Sequence, residues 1–362
     1  MYRVNIISND GLTTITAFLS GDLRKIQYTT EINKAGSASF IVQTQSPKST
    51  PANLKLFNRV KIYRGETLQF SGFIDELRIG LNEIEVRCIG LLGLLQKRVY
   101  SRVLTNELVT DFITELVSTL NANVDTGITV GINDSASTVL GIELTTTTVF
   151  GALQRIADTY NLEFNIDKNE KLNVTSTLGT DKSSSVVFRY VSSRVEQATV
   201  YEFDVEVSGK EIVNKVFGYS KYSITTLHGD SEDVISQATY GLIEKSVNFT
   251  PVSSATQLGE EQDEYIAEHK DEFYTPVVTP NPDKIDVDSY IVGDVVGTLF
   301  DNGFIQFSGN YRIIRKTINV SENGVAQPVL DLRPEGKNLL PSTFIDDIIN
   351  IDERIERLEE TL

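Results

Sequence analysis

The chain has no tryptophan, one cysteine, one methionine and two histidines among its 362 residues. With Cys88 alone, no intramolecular disulfide can form. Cys88 lies in the alternating run Ile84-Glu85-Val86-Arg87-Cys88-Ile89, on the same strand face as Ile84 and Val86, and reads as buried filler. His228 stands beside Gly229-Asp230 in an expected loop, and His269 lies in the charged run Glu264 to Glu272. Neither has a second histidine or cysteine close in sequence to complete a metal site or triad, so both are expected in solvent. Nothing approaches the ~18 consecutive apolar residues of a membrane-spanning helix, and Met1-Tyr2-Arg3-Val4-Asn5 lacks the pattern of a signal peptide. No membrane-spanning segment is expected, and a cytoplasm-like compartment is.

Positive charge is also scarce: 50 acidic against 33 basic residues give a formal charge of −17. A surface that grips phosphate needs clustered Lys and Arg, so nucleic-acid binding is disfavoured, while the same sign suits a channel wall past which DNA slides. Gly209-Lys210 and Gly336-Lys337 lack the upstream glycine and following hydroxyl of a phosphate loop, and no dinucleotide fingerprint is present. Carboxylate pairs such as Asp286 with Asp288, or Asp75 with Glu76, are expected at random in so acidic a chain; spacing alone does not make them a hydrolytic dyad. Asp167-Lys168-Asn169-Glu170-Lys171 lacks the sixth-position glycine and distal glutamate of a calcium loop, and reads as a hairpin turn. No catalytic residue, cofactor or metal site is therefore expected.

What is present is β periodicity. From Tyr2 to Leu95 short alternating runs, among them Ser37 to Gln43, Leu68 to Ile74 and Glu83 to Ile89, are separated by turn-prone Asn9-Asp10-Gly11, Lys34-Ala35-Gly36 and Arg64-Gly65-Glu66. Residues 1–98 thus form a first antiparallel β-domain. Residues 99–185 form a small α+β domain: one helix beginning at Thr105 carries Leu108, Phe112, Ile113, Leu116 and Leu120, and a second spans Thr147 to Tyr160. Residues 186–250 and 286–335 form a second β-domain, split by an inserted helical segment at 251–285 whose Pro276 to Pro282 stretch ends the helix. Val60 to Gly72 and Val295 to Gly309 each run strand, glycine turn, then Gln-Phe-Ser-Gly, which points to a duplication.

The sharpest signal lies at 341–362. Phe344, Ile348, Ile351, Ile355, Leu358 and Leu362 follow the a/d rhythm of a left-handed coiled coil after Pro341-Ser342. Isoleucine at both kinds of seam position favours more than two strands. Fewer than three heptads do not sustain a coiled coil alone, so a trimer would also be held by its body. An amphipathic helix docked on its own domain is the alternative.

The succession of these parts resembles the hub family of tailed bacteriophages, which includes baseplate hubs, tail-tip proteins and the hub portion of type VI secretion spikes. The likeness rests on Ala35 to Phe40, Val60 to Tyr63, Phe70 to Ile74, and Cys88-Ile89-Gly90 with Leu92, Leu94 and Leu95. It continues through Phe150 to Ala157, Phe164 to Asp167, Asn214 to Gly218, Tyr240 to Glu244, Val292 to Val296 and Tyr311 to Ile313. Each is a loose packing signature, and only the order is specific. The resemblance implies two tail-tube-like antiparallel β-barrel domains per subunit, in a homotrimer that forms a pseudo-sixfold ring. Such a ring adapts a sixfold tail tube to a threefold spike, fibre or tail tip, around a channel for tape-measure protein and DNA. The implied partners are the tail tube or distal tail protein, the tape-measure protein and the spike, fibre or tail-tip protein. The implied location is the virion tail or baseplate, assembled in the host bacterial cytoplasm.

The mainly β chain, with its α+β domain and C-terminal coiled-coil helix, reads as structural and non-enzymatic. A receptor- or carbohydrate-binding tail appendage is the competing reading, and the absence of tryptophan counts against it. Deleting residues 341–362 is expected to weaken trimerisation or spike attachment. Unchanged mass and assembly of the truncated chain would refute a role for the heptads.

Overall fold

A computed structural model describes residues 1–122, 125–133, 139–222, 225–249 and 252–334. The chain divides into two compact units. Among the described residues one comprises Met1–Asp204 with Pro276–Leu332, and the other Val205–Thr275 with Arg333 and Pro334. The heptad residues Phe344, Ile348, Ile351, Ile355, Leu358 and Leu362 lie outside the described residues. The fold is mainly β, and most strand pairs are antiparallel.

The first unit begins with β1 (Tyr2–Ile7), β2 (Thr14–Leu19), β3 (Leu23–Glu31), β4 (Ser37–Gln43), β5 (Arg59–Arg64), β6 (Thr67–Ile79) and β7 (Glu83–Gly90). They pair antiparallel in the order β2-β1-β5-β6-β7-β4-β3. Period-two alternation decides the faces. In β7, Ile84, Val86 and Cys88 are buried while Glu85 and Arg87 between them are only partly so. Val4, Ile6, Phe18, Phe40, Val60 and Ile62 complete a core with no exposed surface. Burial raises the Cys88 thiol far above its ordinary pKa, so the residue is inert filler.

The α+β segment follows: α1 (Leu92–Leu95), β8 (Val99–Leu108), α2 (Val109–Asn121), β9 (Thr129–Asn133), β10 (Val139–Thr148), α3 (Val149–Tyr160), β11 (Glu163–Ile166) and β12 (Lys171–Thr175). Phe112, Ile113, Leu116 and Leu120 of α2 pack with Leu153 and Ile156 of α3 and Phe164 and Val174 of the β11–β12 hairpin. Helix α2 starts four residues later than its periodicity suggests, because Thr105 to Leu108 pair with β10. Thr148 caps α3, its hydroxyl accepting from the Gly151 amide at 2.9 Å, and Asn161 ends the helix in the left-handed region at φ 52°.

The remaining elements are β13 (Val187–Val191), β14 (Val200–Ser208), β15 (Lys215–Tyr222), β16 (Thr225–Glu232), α4 (Val234–Tyr240), β17 (Glu244–Asn248), α5 (Ala255–His269), β18 (Phe273–Pro280), β19 (Val295–Asp301), β20 (Gln306–Val320) and β21 (Ala326–Pro334). In the second unit β16-β15-β17 form a separate three-stranded sheet, and α5 packs on β15 and β16. The buried amide of Gln262 seats against Gly218 and Gly229, where any Cβ would collide with it. The inserted body therefore takes in strands from Val205 onward, wider than a helical segment at 251–285, because those strands pair with one another. The proline stretch also differs from expectation: Pro276 and Pro280 lie within β18, between β14 and β21 in the sheet.

Two separate closed barrels are not what the strands form. β14, β18, β21, β20, β19 and β13 join β1–β7 in one thirteen-stranded sheet, and no ladder among the described residues closes on itself. The reason is β20. Its residues Gln306–Arg312 pair with β19, its residues Arg315–Val320 pair with β3, and β21 is its neighbour as well. Two cores form beneath this sheet, one under β1–β7 and one built from Phe188, Tyr290, Val296, Phe300, Ile313 and Leu330. The matched sequence stretches are equivalent hairpins: Phe70 faces Ile62 in β5–β6, and Phe307 faces Phe300 in β19–β20.

Gly90 marks the tightest approach in the first core. A Cβ there would lie 1.7 Å from the Ala35 carbonyl oxygen, which is backbone and cannot rotate away. Gly90→Ala is expected to cost about 3 kcal/mol or more. Chemical denaturation checks this, and a change under about 0.5 kcal/mol would contradict the close packing.

Candidate assembly site

Asp286, Asp288 and Glu76, from the carboxylate pairs singled out in the sequence, serve ion pairs. Arg64 Nη1 reaches Asp286 Oδ1 at 2.7 Å and Asp288 Oδ2 at 2.9 Å, and Gln69 donates to Asp288 at 2.8 Å. The Arg64 hydrogen bond lowers the Asp286 pKa, so this carboxyl is kept ionised, not poised as an acid. Glu76 pairs with Arg87 at 3.2 Å. His228 lies in β16 opposite Tyr219, not in a loop. His269 is half-buried at the end of α5, stacked on Tyr265 at 4.0 Å with Nδ1 2.8 Å from the Tyr265 carbonyl oxygen, so it is only partly in solvent. Asp167–Lys171 is the β11–β12 turn: Asp167 Oδ1 accepts from the Asn169 and Lys171 amides. Among the described residues no group of three His, Cys, Asp or Glu could hold a metal ion.

The charges that sequence reading missed are buried or largely buried ones. Arg59, 1% exposed, donates to the carbonyls of Asn9 and Thr126 and pairs with Glu170 at 3.0 Å. Arg312 holds Glu163 through both terminal nitrogens, and donates to the Leu178 carbonyl at 2.7 Å and the Gly293 carbonyl at 3.0 Å. Asp294, with no exposed surface, accepts from the Thr180 and Ile291 amides and pairs with Lys182 at 2.8 Å. Each group joins chain far apart in sequence, tying the α+β segment to the sheet. Such residues have no local signature, because a buried arginine differs from a surface one only in what surrounds it.

Lys316 is the fourth. Its Nζ donates to the carbonyls of Val287 and Tyr290 at 2.7 and 2.8 Å and sits 4.5 Å from the Tyr290 ring centroid. Burial pushes its pKa down to about 8, against the attraction of Asp288, Asp294 and Asp286, with Arg64 adding to the depression. These contacts hold the segment before β19 onto the sheet.

Outward, several apolar side chains stand uncovered, among them Leu12, Leu81, Val99 and Phe304. Strand β2 is one end of the large sheet and β14 the other along its main path.

No family model matches the chain, and no curated protein does. Solved structures match along nearly its full length. The 43 kDa tail protein of prophage MuSo2 from Shewanella oneidensis superposes with a TM-score of 0.65, covering 92% of this chain and 98% of its own at 13% identity. The chain has the fold of phage tail proteins. The tail protein of Neisseria meningitidis MC58 gives 0.63 at 16% identity, over 92% of this chain and 97% of its own. A prophage tail protein of Listeria monocytogenes gives 0.60 at 12% identity, over 97% and 99%. The tail-protein fold thus takes in the α+β segment and the inserted unit as well as the sheet.

In this tail-protein fold Lys316 makes stability depend on pH. Its pKa is lowered from 10.5 to about 8, so the unfolded chain binds more protons than the folded one between those values. Stability should therefore rise by about 2 kcal/mol from pH 8 to 10. Above pH 10 the buried Tyr2, Tyr28 and Tyr290 hydroxyls, whose pKa values are raised, reverse the trend. Lys316→Met should abolish the rise; denaturant titrations of both proteins across pH 7 to 10 check it, and parallel curves would contradict it.

Proposed function

We propose that the chain is a structural, non-enzymatic hub of a phage tail or baseplate, working as a homotrimeric ring. The observation that carries this reading is the end-to-end likeness to tail proteins, from 92% to 97% of the chain, joined to charged groups that tie segments together. Two equivalent hairpins per chain, β5–β6 and β19–β20, support a pseudo-sixfold arrangement, since three copies would present six. The ring would adapt a sixfold tail tube to a threefold spike, fibre or tail tip, and enclose an axial channel for tape-measure protein and DNA.

The formal charge of −17 favours passage of DNA without capture. Residues 341–362 would gather three helices on the axis, with Phe344, Ile348, Ile351, Ile355, Leu358 and Leu362 as the seam, either closing the channel or docking the next component. The proposed place of the protein is the virion tail, reached by assembly in the host cytoplasm.

Native mass spectrometry of the purified chain at several concentrations tests the ring. A mass of three subunits is the expected outcome. A single-subunit mass throughout would overturn it and favour a monomeric receptor- or carbohydrate-binding appendage.

A further inference from the structure

The equivalence of the β5–β6 and β19–β20 hairpins extends to whole sets of strands. In chain order β3, β4, β5, β6 and β7 lie side by side as β3-β4-β7-β6-β5, and β14, β18, β19, β20 and β21 lie side by side as β14-β18-β21-β20-β19. The two sets differ in one respect. Strand β20 runs on past β19 and gives residues 315–320 to β3. Its counterpart β6 runs on past β5 in the same way. Gly72 and Phe73 carry β5 on one edge and β7 on the other, but along residues 76–79 only β7 is paired. The counterpart of β3 is bare as well. Strand β3 lies between β4 and β20, whereas β14 has β18 on one side and, among the described residues, no strand along the other.

These two uncovered edges are the unmated halves of a joint that the chain already makes once, between β20 and β3. Ile79 is 69% exposed and Tyr201 57%, with Glu76, Arg78, Glu202 and Asp204 exposed beside them. An uncovered edge is a template for another strand, and the acidic residues on both strands discourage indiscriminate pairing. In the chain itself six strands stand between β6 and β14, and the two do not pair. The strand that completes each edge must come from another copy.

We infer that residues 75–79 of β6 in one copy pair antiparallel with residues 201–204 of β14 in the next, repeating between copies the joint of β20 with β3. The two edges are different surfaces, so the contact is heterologous, and heterologous contacts that close generate rings. Internal and external joints then alternate around one continuous ladder. The inference rests on the ring reading above and supplies its contact.

Hydrogen–deuterium exchange of the wild-type full chain tests the ladder. In the trimer the amides of residues 75–79 and 201–204 should exchange about tenfold or more slowly than in the free chain, because ladder hydrogen bonds protect them. The second measurement uses Arg78→Cys with Tyr201→Cys, which occupy facing positions if the joint follows the pairing of Asn319 with Gln27. With a short bis-maleimide the double variant should give a covalent trimer and neither single variant should; Cys88 is 2% exposed and does not compete. A trimer in which those amides exchange freely, or in which the double variant does not cross-link, overturns the contact and leaves the ring standing. A wild-type chain that stays monomeric overturns both.

Discussion

A strand has only two hydrogen-bonding edges, and β20 serves three partners with them. Its first half pairs with β19 and its second half with β3, and β21 is its neighbour as well. Fifteen residues are long enough for both tasks, and the burial pattern follows: Tyr311 and Ile313 enter one core, Ile318 and Val320 the other. Everything else in the first unit is arranged around that division. Two cores can then share a continuous backbone ladder, with no linker that could bend between them.

The second constraint is electrostatic. Burying an ion costs several kcal/mol unless its hydrogen-bonding capacity is met, and removing one partner is far more damaging than replacing both. Arg312 meets that demand with one carboxylate and two carbonyls, and Lys316 with two carbonyls and an aromatic face. Each set of acceptors comes from segments nineteen or more residues away, so each ion specifies a particular long-range arrangement. The joints between the α+β segment and the sheet are therefore directional where the cores are merely apolar.

What could be read in advance follows from range. The alternation of Ile84, Val86 and Cys88 and the helical spacing of Phe112, Leu116 and Leu120 are local, and the structure places them as read. Ladder partners are not local, so the shared strand β20 was hidden and two barrels were expected in its place. The strand nature of β18 was concealed by Pro276 and Pro280, which remove donors without preventing an extended backbone. His228 beside Gly229-Asp230 imitates a turn, yet Gly229 lies opposite Gly218, where small residues leave space for Gln262. The buried roles of Arg59, Arg312 and Lys316 depend wholly on surroundings, and no spacing rule could supply them.

The second unit leaves the large sheet through β14 and returns through β18, which are neighbours in that sheet. Adjacent strands stand only about 4.8 Å apart, so the two ends of the insert are nearly one point in space. Loop-closure entropy grows slowly with length, and a body attached in this way can be enlarged, trimmed or exchanged while the ladder beneath keeps its register. Variation can then be confined to one interchangeable module, leaving a sheet that need not change.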